Sequence, residues 1–118
     1  MYVYRLTTAG WARPGGGRAT TLIRVSSEIT FALLFRVPVK GVDKFERYES
    51  LVLPLLDDHG GRLERRLRSH DRLTEVHIVS FPSREAFAAY REDPRRGEHA
   101  HLLAESGAAA EVLEVDDV

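Results

Sequence analysis

The sequence predicts an α+β fold: a four-stranded antiparallel sheet in the order strand, helix, strand, strand, helix, strand, the ferredoxin-like split βαβ arrangement. Three observations predict it. Residues 29–37 alternate with period two, Phe45 opens an apolar stripe at spacings of three and four, and Pro and Gly residues separate these runs from two further strand patterns.

In chain order, Ile29, Phe31, Leu33, Phe35 and Val37 form one face of the first strand. Their neighbours Thr30, Ala32 and Leu34 are themselves partly apolar, as in a strand covered on both sides. Asp43 is the expected cap of a helix that turns Phe45, Tyr48, Val52, Leu55, Leu56 and His59 inward. Pro54 should kink or break that helix, and Gly60-Gly61 should end it. The second strand, residues 62–68, is expected to share Leu63, Arg65 and Leu67 on one face. The third, residues 73–81, places Glu75, His77, Val79 and Phe81 together. Pro82 stops it, Ser83 caps a short helix carrying Ala86, Phe87 and Tyr90, and Asp93-Pro94 starts another that runs to Gly107. Residues 109–115 close the chain as a strand.

With 118 residues, 43% of them hydrophobic, the chain is long enough for one domain with its own core. The absence of Cys removes disulfides, thiolate metal sites and cysteine nucleophiles. No apolar run is long enough to span a membrane, and a cytoplasmic, soluble protein is expected. The net charge of -1 conceals segregation: residues 1–27 hold four arginines and no acid, whereas residues 28–118 hold 13 bases and 18 acids. Residues 1–27, broken by Pro14-Gly15-Gly16-Gly17, read as a basic arm or extension preceding a domain over residues 28–118. The strand-forming composition of Tyr2, Val3, Tyr4, Leu6 and residues 21–25 gives the alternative of an exchanged dimer arm. Four dispersed arginines on an acidic body do not make a nucleic-acid site.

No dinucleotide, phosphate-loop, nucleophile-elbow or metalloprotease motif occurs, and no metal or cofactor is expected. His99 and His101, two apart on a helix, point away from each other and cannot share a zinc ion.

Several stretches resemble the dimeric α/β-barrel superfamily, most closely a bacterial domain of unknown function within it. They are Phe45-Glu46-Arg47-Tyr48-Glu49, Leu53-Pro54-Leu55-Leu56 with His59-Gly60-Gly61-Arg62-Leu63, Val79-Ser80-Phe81-Pro82-Ser83 with Glu85-Ala86, and Asp93-Pro94. Two departures stand out. Ser80 occupies a position that is usually acidic, and Arg95-Arg96-Gly97 follows Asp93-Pro94 where an aromatic is usual. The resemblance spans residues 29–115 and implies a homodimer whose sheets face each other, with a pocket between each sheet and its own helices. Members include cofactor-independent oxygenases, polyketide cyclases, haem-degrading and isomerising enzymes, and ligand sensors, so the fold alone does not select a function.

On this frame His77 is the candidate base, with Glu75 beside it. Tyr48 and Arg65 are candidate holders of a substrate oxygen, and Phe35, Phe81 and Phe87 are the apolar wall. His59, before two glycines where an imidazolium meets the helix dipole, is counted with Glu75 among candidate ligand contacts. The expected function is a cofactor-independent enzyme that abstracts a proton from an aromatic or polyketide-like substrate and stabilises the enolate. The alternative is a non-catalytic homodimer that binds or senses a small hydrophobic ligand.

Overall fold

The computed structural model describes residues 28–118 and, before them, strands β1 (Val3–Thr7) and β2 (Gly10–Ala12). The core of the fold is β3 (Ile29–Arg36), α1 (Val42–Val52), β4 (Arg62–Arg68), β5 (Thr74–Phe81), α2 (Arg84–Arg91), α3 (Pro94–Ser106) and β6 (Ala109–Val115). This is the expected βαββαβ order, with the second helical segment divided in two at Asp93-Pro94. The sheet runs β2-β1-β6-β3-β5-β4, all neighbours antiparallel. Part of the basic arm thus lies against β6 of its own chain as two added strands. The rest of the arm, including residues 21–25, lies outside the described residues.

Local chemistry explains most boundaries. Ser83 Oγ accepts from the Ala86 N–H, and Asp93 Oδ1 accepts from the Arg95 N–H, so α2 and α3 both begin at side-chain caps. Gly60 and Gly107 take left-handed φ values of 69° and 74° where helical segments end. Pro54 limits α1: the α-helix stops at Val52 and residues Leu53–His59 continue as a 3₁₀ helix. Asp43 is not the cap of α1. A 3₁₀ turn, Val39–Gly41, leads directly into the helix, and Asp43 sits inside its first turn, where its charge complements the dipole.

The helices cover one face of the sheet. Ile29, Phe31 and Phe35 of β3, Val79 and Phe81 of β5 and Val112 of β6 point into this layer and meet Phe45, Val52, Leu56, Phe87 and Leu103 from the helices. Phe31 is completely buried, with the Phe87 ring centroid 4.2 Å away. The opposite face carries Ala32, Leu34, Val76, Ile78, Leu113 and Val115, all half-buried, and no described helix crosses it.

Candidate functional site

Between the sheet and the helices lies a small cavity of about 40 Å³. Aromatic and aliphatic side chains make most of its wall, including the expected Phe35, Phe81 and Phe87. Its polar groups are few: His77 from the sheet, Tyr48 and Glu49 from α1, and Tyr90 and Arg96 from α2 and α3.

His77 lies on the sheet side of this cavity, 1% exposed, its ring centroid 5.0 Å from that of Phe35. Its Nε2 is 2.8 Å from Glu75 Oε1, and its Nδ1 is 3.9 Å from Glu49 Oε2, too far for a hydrogen bond. Glu75 is itself fixed from the sheet edge, where Arg66 Nε donates to Oε1 and Arg68 Nε to Oε2, each at 2.9 Å. Burial pushes the Glu75 carboxyl up, but hydrogen bonds from His77, Arg66 and Arg68 outweigh it and bring it down to about 2. An ionised Glu75 accepts from Nε2–H. Nδ1, the other ring nitrogen, is turned toward Glu49.

Arg65 is not where the alternation of the strand places it. A β-bulge between Leu63 and Arg65 inserts one residue, so that Leu63 pairs with Val79 but Arg65 pairs with Ile78, on the helix-free face. Every residue after the bulge changes face. Arg65 is exposed there, while Arg66 and Arg68 come to the cavity side opposite His77 and Glu75. The basic residues that act on the site are thus the two flanking the expected position's successor, Leu67.

His59 is also outside the cavity wall. It closes the 3₁₀ segment, its Nε2 lies 2.8 Å from Asp93 Oδ2, and its ring stands edge-on to Tyr90 at 6.0 Å. Asp93 also binds Arg95, and these partners hold its carboxyl well below the usual range. His59 ties the end of one helical segment to the start of α3.

Tyr48 is where it is expected, 5% exposed on the inner stripe of α1. Burial raises its hydroxyl pKa against the opposing charge of Arg96, so it remains a neutral hydrogen-bonding group at pH 7. Two further residues enter that the sequence reading omits. Glu49 is 2% exposed, and desolvation raises it to about 7; Glu75 adds to the shift while His77, Arg66 and Arg96 oppose it. It stands four residues after Phe45 and three before Val52, on the apolar stripe itself, and that spacing is the signal that could have found it. Arg96 is 8% exposed, donates to Tyr48 Oη at 3.3 Å and to the Arg91 carbonyl at 3.2 Å, and lies 4.6 Å from the Tyr90 ring centroid. It precedes the buried Leu103 by seven residues, two turns of α3.

Among the described residues no group of three or more His, Asp or Glu side chains is arranged to hold a metal ion, and no helix is long and apolar enough to cross a membrane.

An antiparallel sheet covered on one face by helices in this order defines a ferredoxin-like α+β fold. Solved structures of that fold to which the chain is similar include proteins described as antibiotic biosynthesis monooxygenases and proteins of unknown function. A provisionally assigned antibiotic biosynthesis monooxygenase from Nitrosomonas europaea superposes with a TM-score of 0.66 at 14% identity, over 82% of this chain and 96% of that one. SnoaB, a cofactor-independent oxygenase from Streptomyces nogalater, gives 0.63 at 21% identity, over 79% and 97%. Rv0793 from Mycobacterium tuberculosis gives 0.61 at 19%, over 78% and 98%. The sequence matches no protein-family model and no curated protein.

Proposed function

We propose that this chain is a cofactor-independent small-molecule enzyme of the oxygenase or cyclase/isomerase kind, acting on an aromatic or polyketide-like substrate in the cavity between sheet and helices. The observation that carries the reading is the His77 arrangement. An imidazole sits at an apolar cavity with Nε2 held by a carboxylate that two arginines help keep ionised, and Nδ1 is left outside that hydrogen bond. Nδ1 removes a proton from an acidic C–H or phenolic O–H, and the resulting enolate is held by the donors at the Tyr48 end of the cavity. In the oxygenase form the electron-rich carbanion reduces O₂ directly. A CH₂ group then becomes C=O, one oxygen atom enters the carbonyl and the other leaves in water. SnoaB's description as cofactor-independent supports that form by analogy of fold.

Oxygen uptake with anthrone, an aromatic ketone with an acidic CH₂ that is larger than the cavity of about 40 Å³ and can enter only if the helices move apart from the sheet, tests it. Uptake should be catalysed by the wild type and fall by about 100-fold or more in His77→Ala, the usual contribution of a positioned base. Equal uptake by the two proteins removes His77 from the chemistry. Saturable anthrone binding without uptake or rearrangement favours the ligand-sensing alternative.

We also infer a homodimer through the helix-free face of the sheet, supported by the half-buried Leu34, Val76, Ile78 and Leu113 on a surface that no described helix covers.

A further inference from the structure

Arg96 is a buried cation that no carboxylate among the described residues meets in an ion pair. Glu49 at the same cavity feels its charge, but burial raises that carboxyl to about 7. Its terminal nitrogens serve neutral acceptors, the Tyr48 hydroxyl and the Arg91 carbonyl, and its Nε is a buried donor with no acceptor. Burying an ionised group without a counter-ion is costly, and an unfilled donor beside it adds to that cost. Arg96 faces the same cavity as Tyr48, Glu49 and His77. The other carboxylate of this region, Glu75, is already committed to Arg66 and Arg68. Tyr90 stacks on the guanidinium and its hydroxyl also accepts from it, which offsets part of the cost, but this acceptor too is neutral.

We propose that Arg96 is the counter-ion of the ligand: a small aromatic molecule places an anionic oxygen, a carboxylate or an ionised enol or phenol, in the cavity, where it binds Arg96 with Tyr48 at its side, the ring needing more room than the present volume of about 40 Å³ and entering as the helices move apart. The proposal deepens the reading above by naming the charge of the bound species. Its consequence for that reading is direct. A guanidinium next to the developing oxyanion stabilises the enolate, which makes the proton easier for His77 to remove.

The test uses benzoate and benzamide, equal in shape and different in charge, titrated into the full-length protein at pH 7.5 and followed by amide chemical shifts. Benzoate should bind the wild type about tenfold or more tightly than benzamide, the scale of a charge-assisted hydrogen bond. Arg96→Met should erase the preference, and Arg96→Lys, which keeps the charge without the planar fork, should keep part of it. Shifts should map to Tyr48, Glu49 and Tyr90. Equal binding of the two probes by the wild type, binding of neither, or a preference that survives in Arg96→Met would overturn the proposal. The wild-type comparison stands even where a variant folds poorly. His77→Ala separates the two readings: a benzoate preference retained in that variant keeps the anion site whether or not His77 is the base.

Discussion

Glu49 and Glu75, both 2% exposed, lie on opposite sides of His77 and are driven in opposite directions. Glu75 is surrounded by donors and stays ionised; Glu49 has only distant cations and lies mostly in desolvating surroundings, so it rises from 4.5 to about 7. The sign of the stability effect follows. A carboxyl whose folded pKa lies above its unfolded value gives stability that is fully present below pH 4.5 and lost as the pH rises toward 7. The loss is on the order of 3 kcal/mol at most, at 1.36 kcal/mol per pKa unit. Urea unfolding at pH 5 and pH 8 should therefore show the wild type less stable at the higher pH, with Glu49→Gln flattening that difference and exceeding the wild type at pH 8. An unchanged slope in the variant would show that Glu49 ionises in the folded protein as it does in water. Glu75 acts in the other direction and in another window, its contribution being lost only as the pH falls below 4.5 toward 2.

Elements are held together by close approaches as well as by side-chain burial, and two glycines separate these effects. At Gly41, where the 3₁₀ turn meets α1, an added Cβ would lie 1.8 Å from the Ser106 carbonyl oxygen, a backbone atom that cannot move aside without shifting the end of α3. Gly41→Ala should cost about 3 kcal/mol or more, beyond ordinary overpacking. Gly97 lies inside α3 with nothing within 4 Å of such a Cβ, so Gly97→Ala should stabilise by about 0.5–1 kcal/mol through helix propensity alone. Thermal unfolding of both variants checks the pair. The same contrast between local and non-local causes decides what the sequence makes legible. Alternation in β3 and β5, the break at Pro54, the caps Ser83 and Asp93 and the left-handed Gly60 and Gly107 are each set by a few adjacent residues, and they can be read from the chain. The start of α1 is not legible, because a 3₁₀ turn ahead of it displaces the helix past the best capping residue. Nor is the bulge in β4. It depends on how β4 registers against β5, and it turns Arg65 away from the cavity while bringing in Arg66 and Arg68. His77 and Tyr48 are legible as polar groups on apolar faces. Glu49 and Arg96 carry the same signal but are hidden by the expectation that charged residues on amphipathic helices face solvent.

At the scale of the molecule, the two faces of the sheet are unlike. One holds the cavity and its ionisable groups under three helical segments, and the other presents Ala32, Leu34, Val76, Ile78 and Leu113 without such a cover. Antiparallel sheets with one solvated face alternate polar and apolar residues cleanly, and β3 and β5 do not. A second copy of the chain is the cover that the proposed homodimer supplies. Sedimentation velocity should then give a dimer for the wild type and a shift toward monomer for Ile78→Asp, with a dissociation constant raised by about 100-fold or more for a charge placed centrally in an apolar contact. Ile78 faces away from the cavity, being in register with Ala32 and Arg65 rather than with the His77 face. The monomeric variant should therefore still bind benzoate with the preference set by Arg96. Loss of that preference together with dimerisation would mean that the cavity is shaped by the partner, and a monomeric wild type would remove the sheet face from the assembly.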